Sequence, residues 1–178
     1  MIRQGRLAIR AFTLLELLVV IGIVAIFAIL LIGGYSMWYA RAQRIQCTAN
    51  LRSLYLATEH YIQQNESWPQ IGHDVDTTDE QFAAQWIAAL EPFGITRKTW
   101  ICPTMQNFMG SPDYTSPGNE RIDYMPMPFD DKTLTPHQWP QAPWFAEVGD
   151  VHGNGNLIIF TDGSITDLKT LTNQSKAQ

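Results

Sequence analysis

Basic charge is scarce in this chain and phosphate-binding glycine patterns are absent, and each lack removes a class of function. Only 12 of 178 residues are Lys or Arg, against 17 acids, for a net charge of −5. That balance argues against a protein that coats nucleic acid. The charged fraction, 16%, is low for a freely soluble protein. No G-x-x-x-x-G-K, G-x-G-x-x-G or G-x-S-x-G is present, and no EF-hand-type loop. The four histidines, His60, His73, His137 and His152, fall in no recognisable catalytic constellation. There are no repeats and no runs of like charge. Proline is absent before Pro69, so nothing breaks a helix over the first third of the chain.

What is abundant is apolar residues, and they are concentrated near the N-terminus. Residues 17–32 hold no polar side chain, and from 12 to 39 only Thr13, Glu16, Ser36 and glycines interrupt. About 20 such residues cross a bilayer as a helix. A secretory signal peptide has a shorter apolar core, roughly 7–15 residues, with a small-residue cleavage site after it. Here the run is longer than that. An ordinary membrane anchor fits the length but gives no reason for Glu16. A carboxylate in an apolar helix costs on the order of 2.5–3.5 kcal/mol at the bilayer centre and less near the interface. No Lys, Arg or His lies between Thr13 and Tyr39 to offset that cost. A chance polar residue is the plain alternative. A functional one would pair with an α-amino group made by cutting before Phe12, on a neighbouring subunit.

The phrase Arg10-Ala11-Phe12-Thr13-Leu14-Leu15-Glu16-Leu17, preceded by Arg3 and Arg6, resembles the prepilin-type cleavage and methylation motif of type IV pilin-like proteins. The resemblance implies a cut between Ala11 and Phe12 by a prepilin peptidase, N-methylation of Phe12, and a role for Glu16 in assembly. The family usually has Gly before the cut, where this chain has Ala11. Loss of the leader would leave 9 basic residues against 17 acids, a net of −8.

Beyond Tyr39 the pattern turns amphipathic. Ile45, Leu51, Leu54, Tyr55, Thr58, Tyr61 and Ile62 recur at three- and four-residue steps. The spacing predicts one helix over residues 12–64, near 80 Å at ~1.5 Å per residue. Thr77 and Glu80 predict a capping box for a second helix carrying Phe82, Trp86, Ile87 and Leu90, stopped by Pro92. Residues 103–143 hold eight of the ten prolines. They are expected to be irregular, either a covering loop or an interaction surface. Leu157-Ile158-Ile159-Phe160, Asp162-Gly163 and Ser164-Ile165-Thr166 predict a hairpin with a type I′ turn.

His152, nine residues and then Asp162-Gly163 resemble the H-X9-DG segment of one large pilin-like subgroup. Cys47-Thr48-Ala49-Asn50-Leu51 with Tyr61 and Trp68-Pro69, and Trp100-Ile101-Cys102-Pro103, resemble other elements of that subgroup. The matches cover both ends of the chain and not its Pro-rich middle.

Arg3, Arg6 and Arg10 favour a cytoplasmic leader, though Arg41 and Arg44 dilute the bias, so the region after the span is expected outside the cytoplasm. Cys47 and Cys102 would then lie in an oxidising compartment. A disulfide there would stabilise by ~4 kcal/mol in the chain-entropy model. Two buried thiols acting as small apolar side chains are the alternative. His152 with Asp162 and Asp150 could bind a metal, but Asp162 has a turn role and the spacing matches no ligand signature. No metal, cofactor or catalytic residue is expected.

The expected fold is α+β: a long N-terminal helix packed on a small antiparallel sheet with a Pro-rich irregular region. The expected parts are a leader (1–11), a transmembrane and filament-core helix (12–39), the amphipathic half of that helix (40–65) and a globular head (66–178). The resemblance implies a structural subunit of a type IV pilus or of a type II secretion pseudopilus. The subunit would sit in the inner membrane as a single-pass protein and then in the filament. Its partners would be the prepilin peptidase, other pilin or pseudopilin subunits and the inner-membrane assembly machinery with its ATPase. The rivals are a membrane-held binding module for a glycan or secreted substrate, and an anchored metal-dependent enzyme using His152 and Asp162.

Overall fold

The computed structural model describes residues 13–72, 75–110, 118–132 and 135–176, and the side chains of these except 30–36. The fold is α+β. The helix α1 runs Leu14–Asn65 and is followed by α2 (Asp79–Leu90), α3 (Pro103–Met109) and α4 (Leu168–Lys176). Four strands, β1 (Tyr124–Pro126), β2 (Pro143–Glu147), β3 (Leu157–Phe160) and β4 (Ile165–Asp167), form one antiparallel sheet in sequence order. The chain divides into two units, Met1–Tyr39 and Ala40–Gln178.

In the second unit, residues 40–65 of α1 bury Cys47, Leu51, Leu54, Ala57, Thr58 and Ile62, one face at three- and four-residue steps. The helix stops at Asn65, and Glu66 after it is the one described non-glycine residue with positive φ, at 55°. Against that face stands an aromatic core. Trp68, Trp86, Trp100, Trp144, Tyr124 and Phe145 are each at most 2% exposed. Their rings meet mostly edge to face, as in Trp68–Trp144 (centroids 5.2 Å) and Trp86–Trp100 (6.3 Å), the arrangement that aligns ring edges with facing π-clouds.

Three local readings are corrected by the structure. The cap of α2 is Thr78 with Gln81, one residue later than Thr77 and Glu80. Gln81 N–H donates to Thr78 Oγ1 (3.2 Å) and Thr78 N–H to Gln81 Oε1 (3.1 Å). This leaves Asp79 and Glu80 in the first turn, where the helix dipole favours acids. The Pro-rich segment is more regular than expected, since it supplies α3, β1 and the start of β2. Its prolines sit where no ladder N–H is needed: Pro103 opens α3, Pro126 ends the edge strand β1 and Pro143 begins β2. The hairpin is present, with Ile159 opposite Ile165, but its turn is not type I′. Only Gly163 has positive φ (75°), not Asp162. The connection has four residues, 161–164, closed by Phe160 N–H to Ser164 O (3.0 Å) and Gly163 N–H to Phe160 O (2.9 Å).

Candidate functional site

At the N-terminal end, Ala11 and Phe12, the expected cleavage and methylation positions, lie outside the described residues. The next residues form a capping box that sequence reading passed over. Glu16 N–H donates to Thr13 Oγ1 (3.2 Å), and the Glu16 carboxylate accepts from Thr13 N–H (2.9 Å) and from the Thr13 hydroxyl (3.0 Å). The signal was there to be read, since Thr-x-x-Glu ahead of an apolar run is the capping-box pattern. Glu16 thus has a partner within its own chain, which the search for Lys, Arg or His could not find.

From Leu14 to Ile29 every side chain is exposed, including Leu14 at 84% and Ile29 at 70%. Apart from Glu16 and Gly22 this stretch is apolar around the whole helix. Among the described residues no helix is long and apolar enough to cross a membrane.

The second unit holds a buried cluster built from four elements. Cys47 comes from α1, Cys102 caps α3, Glu147 ends β2 and His152 lies on the β2–β3 loop. One ligand atom from each lies within 4.8 Å of all the others. Cys102 Sγ is 3.7 Å from His152 Nε2, and that nitrogen is 3.1 Å from Glu147 Oε1. The His152 and Glu147 side chains are 3% and 0% exposed, and both cysteines are fully buried. Cys47 and Cys102 are free thiols.

Sequence reading found both cysteines and His152 but not Glu147. A signal existed: Glu147 is two residues from Phe145 on one strand, hence on the inward face. The loop carrying His152 is held at Gly155. Its φ is +85°, a Cβ there would lie 2.9 Å from Leu168 Cβ, and its N–H donates to Asp150 Oδ1 (2.8 Å).

Burial is the largest influence on the His152 imidazole and lowers its pKa, but hydrogen bonds with Cys102 and Glu147 outweigh it, and the group rises to about 9. The Cys102 thiol is pushed up, first by its hydrogen bond with Cys47 and then by burial. Asp123 is raised by burial, against the Cys102 N–H (2.8 Å) and the Arg121 guanidinium (2.9 Å), which favour its ionised form. Asn50 donates to Ile101 O (3.0 Å) and the Tyr124 hydroxyl (3.3 Å), which fixes the helix against the approach to Cys102.

The structure gives the two ends of the H-X9-DG segment different neighbours. His152 joins the cysteines. Asp162 is engaged in the turn, accepting from Ser164 N–H (2.8 Å); the Ser164 side chain first and this N–H second hold its carboxyl below the ordinary range. Gly163 faces the Tyr55 ring, to which an added Cβ would approach within 3.5 Å. Elsewhere an apolar cleft of about 470 Å³ is lined by residues including Trp68, Phe82, Trp86, Met125 and Phe129.

No protein-family model and no solved structure matches the chain. It is similar to the type IV major pilin protein PilA of Myxococcus xanthus, 26% identical over 72 residues, which is 40% of this chain and 33% of that protein. The chain thus spans about a third of the length of the curated relative it matches.

Proposed function

We propose that the chain is a structural subunit of a type IV pilus or type II secretion pseudopilus. A prepilin peptidase removes residues 1–11 and methylates Phe12. Residues 12–39 hold the subunit in the inner membrane until assembly and then pack in the filament core. Residues 40–65 and the head, 66–178, remain outside the cytoplasm. The observation that carries this reading is the stretch 14–29, apolar on every side and exposed along its length in the single chain, with one carboxylate at its start. A helix that is apolar all round needs lipid or other protein around it. Lipid serves before assembly and neighbouring helices serve after it. The similarity to a type IV major pilin supports the same role.

Glu16 is satisfied by Thr13 in the free subunit. On assembly its carboxylate exchanges that partner for the Phe12 amine of a neighbour. In a dry core the attraction within such a pair is stronger than in water, and it offsets the desolvation of the two charges. The test is recovery of the chain, by immunoblot, in the filament fraction sheared from cells expressing the whole assembly system. Presence there with head-to-head crosslinks supports the reading. A chain confined to the membrane fraction under those conditions contradicts it.

A membrane-held binding module is the second reading, favoured by the apolar cleft beside Trp68 and Phe129. It has no need of the Glu16 charge, so filament incorporation that depends on that charge separates the two.

A further inference from the structure

We propose that Cys47, Cys102, Glu147 and His152 are the four ligands of a closed structural site for a zinc-class divalent ion. Such an ion would pin the helix to the sheet and to the β2–β3 loop. This site is independent of the filament reading, and it replaces the pairing of His152 with Asp162 weighed from the sequence.

The donor set fits the ion. Tetrahedral zinc takes Cys sulfur at about 2.3 Å and His nitrogen or carboxylate oxygen at about 2.0–2.2 Å. Those bonds put sulfur and nitrogen about 3.6 Å apart, and nitrogen and oxygen about 3.4 Å apart. The corresponding separations are 3.7 Å for Cys102 Sγ to His152 Nε2 and 3.1 Å for His152 Nε2 to Glu147 Oε1. The whole set falls within 4.8 Å, so an ion enters with shifts of a few tenths of an ångström up to about 1 Å. Two thiolates and an imidazole suit zinc, whereas calcium and magnesium call for oxygen ligands.

The surroundings suit it too. Glu147 Oε2 accepts from Leu157 N–H (3.4 Å), which leaves Oε1 facing His152 and the thiols. The Cys102 backbone is held by Asp123. Supporting contacts of this kind orient metal ligands. With all four positions taken by protein and the side chains buried, the site has no open position for substrate, so its role is structural. A disulfide would use only the two sulfurs and leave a fully buried carboxylate and an imidazole with no shared purpose. Burying such a pair is seldom repaid by its own attraction.

The test uses the full chain in detergent, kept in a reductant that does not bind zinc, loaded with zinc chloride and desalted. About one zinc per chain is expected by elemental analysis. Cobalt(II) in its place should give a tetrahedral spectrum with a thiolate-to-cobalt charge-transfer band. The Cys47→Ser, Cys102→Ser double variant should retain no ion, and His152→Gln should bind at least about tenfold more weakly. Asp162→Asn should bind as the parent does. Should the ligand variants fail to fold, the parent's stoichiometry and cobalt spectrum decide alone. Parent protein that retains no metal, cobalt spectra without the thiolate band, or a Cys47–Cys102 disulfide mapped in protein taken directly from the cell envelope would each overturn the proposal.

Discussion

The Tyr55 hydroxyl donates to the Thr161 carbonyl oxygen at 2.9 Å, across 106 residues of chain. It joins the second half of the long helix to the hairpin connection that carries Asp162 and Gly163. Burial, with the carboxylate of Glu59 next, raises the Tyr55 pKa to about 12, so the hydroxyl stays a donor throughout the physiological range. Tyr55→Phe keeps the ring against Gly163 and Trp144 and removes the hydroxyl, with its bond to Thr161 and its interaction with Glu59. It should lower the stability of the head by about 1 kcal/mol, read as a lower midpoint in near-ultraviolet thermal unfolding. An unchanged midpoint would show the bond to be idle.

Trp68 is the centre of the aromatic core. Its ring meets Trp86, Phe129, Trp144 and Phe145, with centroids 4.7 to 6.1 Å away. Trp68→Ala should cost about 3–5 kcal/mol, the range for emptying a large aromatic site. Chemical denaturation of the detergent-solubilised chain measures it. A loss below about 1 kcal/mol would mean that the core is not packed as described.

Asp167 closes the sheet and opens α4. Its Oδ1 accepts from Thr170 N–H (2.9 Å) and the Thr170 hydroxyl (2.7 Å), while Arg44 of the helix lies 2.8 Å from Oδ2. The Thr170 bonds, with Arg44 after them, lower its pKa from 3.8. A depressed carboxylate contributes stability above its unfolded pKa and loses it as pH falls through the folded value. Asp167→Ala should therefore lose about 1–2 kcal/mol at pH 7, the worth of an Asp N-cap. The gap from the parent should hold down to about pH 4 and narrow below it. A gap that stays constant into strong acid would exclude the carboxylate as its source.

How far these features could be read in advance depended on their range. Phe82, Trp86, Ile87 and Leu90 declared α2, and Leu157–Phe160 declared β3, because a repeat of 3.6 or a short β-rich run is local information. The boundaries slipped where two caps were available: Thr77 and Thr78 stand side by side, and only packing of the buried face chooses between them. The prolines of residues 103–143 hid two strands, since a statistical breaker says nothing about which edge or end will accommodate it. The buried cluster was half legible. Cys47, Cys102 and His152 were each singled out, but Glu147 could be found only by placing it on a strand with Phe145, and nothing local says that positions 47, 102, 147 and 152 converge. Glu16 misled in the other direction, because a search for an opposite charge overlooked Thr13 three residues away.

The capping box gives two roles to Glu16, and two substitutions separate them. Glu16→Gln keeps an acceptor for Thr13, as Gln serves in capping boxes, but removes the charge. Glu16→Val removes both and should insert into membrane at least as well as the parent. If the charge drives assembly, both variants should fall at least about tenfold in the filament fraction, equivalent to ~1.4 kcal/mol, with membrane levels unchanged. Normal incorporation of Glu16→Gln would reduce Glu16 to a helix cap.

Processing as a prepilin and use as a filament subunit would both be written in the N-terminus of the mature chain. Intact-mass and peptide mass spectrometry of the N-terminus of the chain, isolated from cells that carry the full assembly system, tests both most directly. The expected mature chain begins at Phe12 with a methylated amine. A chain that still begins at Met1, or one cut beyond residue 32 so that the apolar helix is lost, would contradict it.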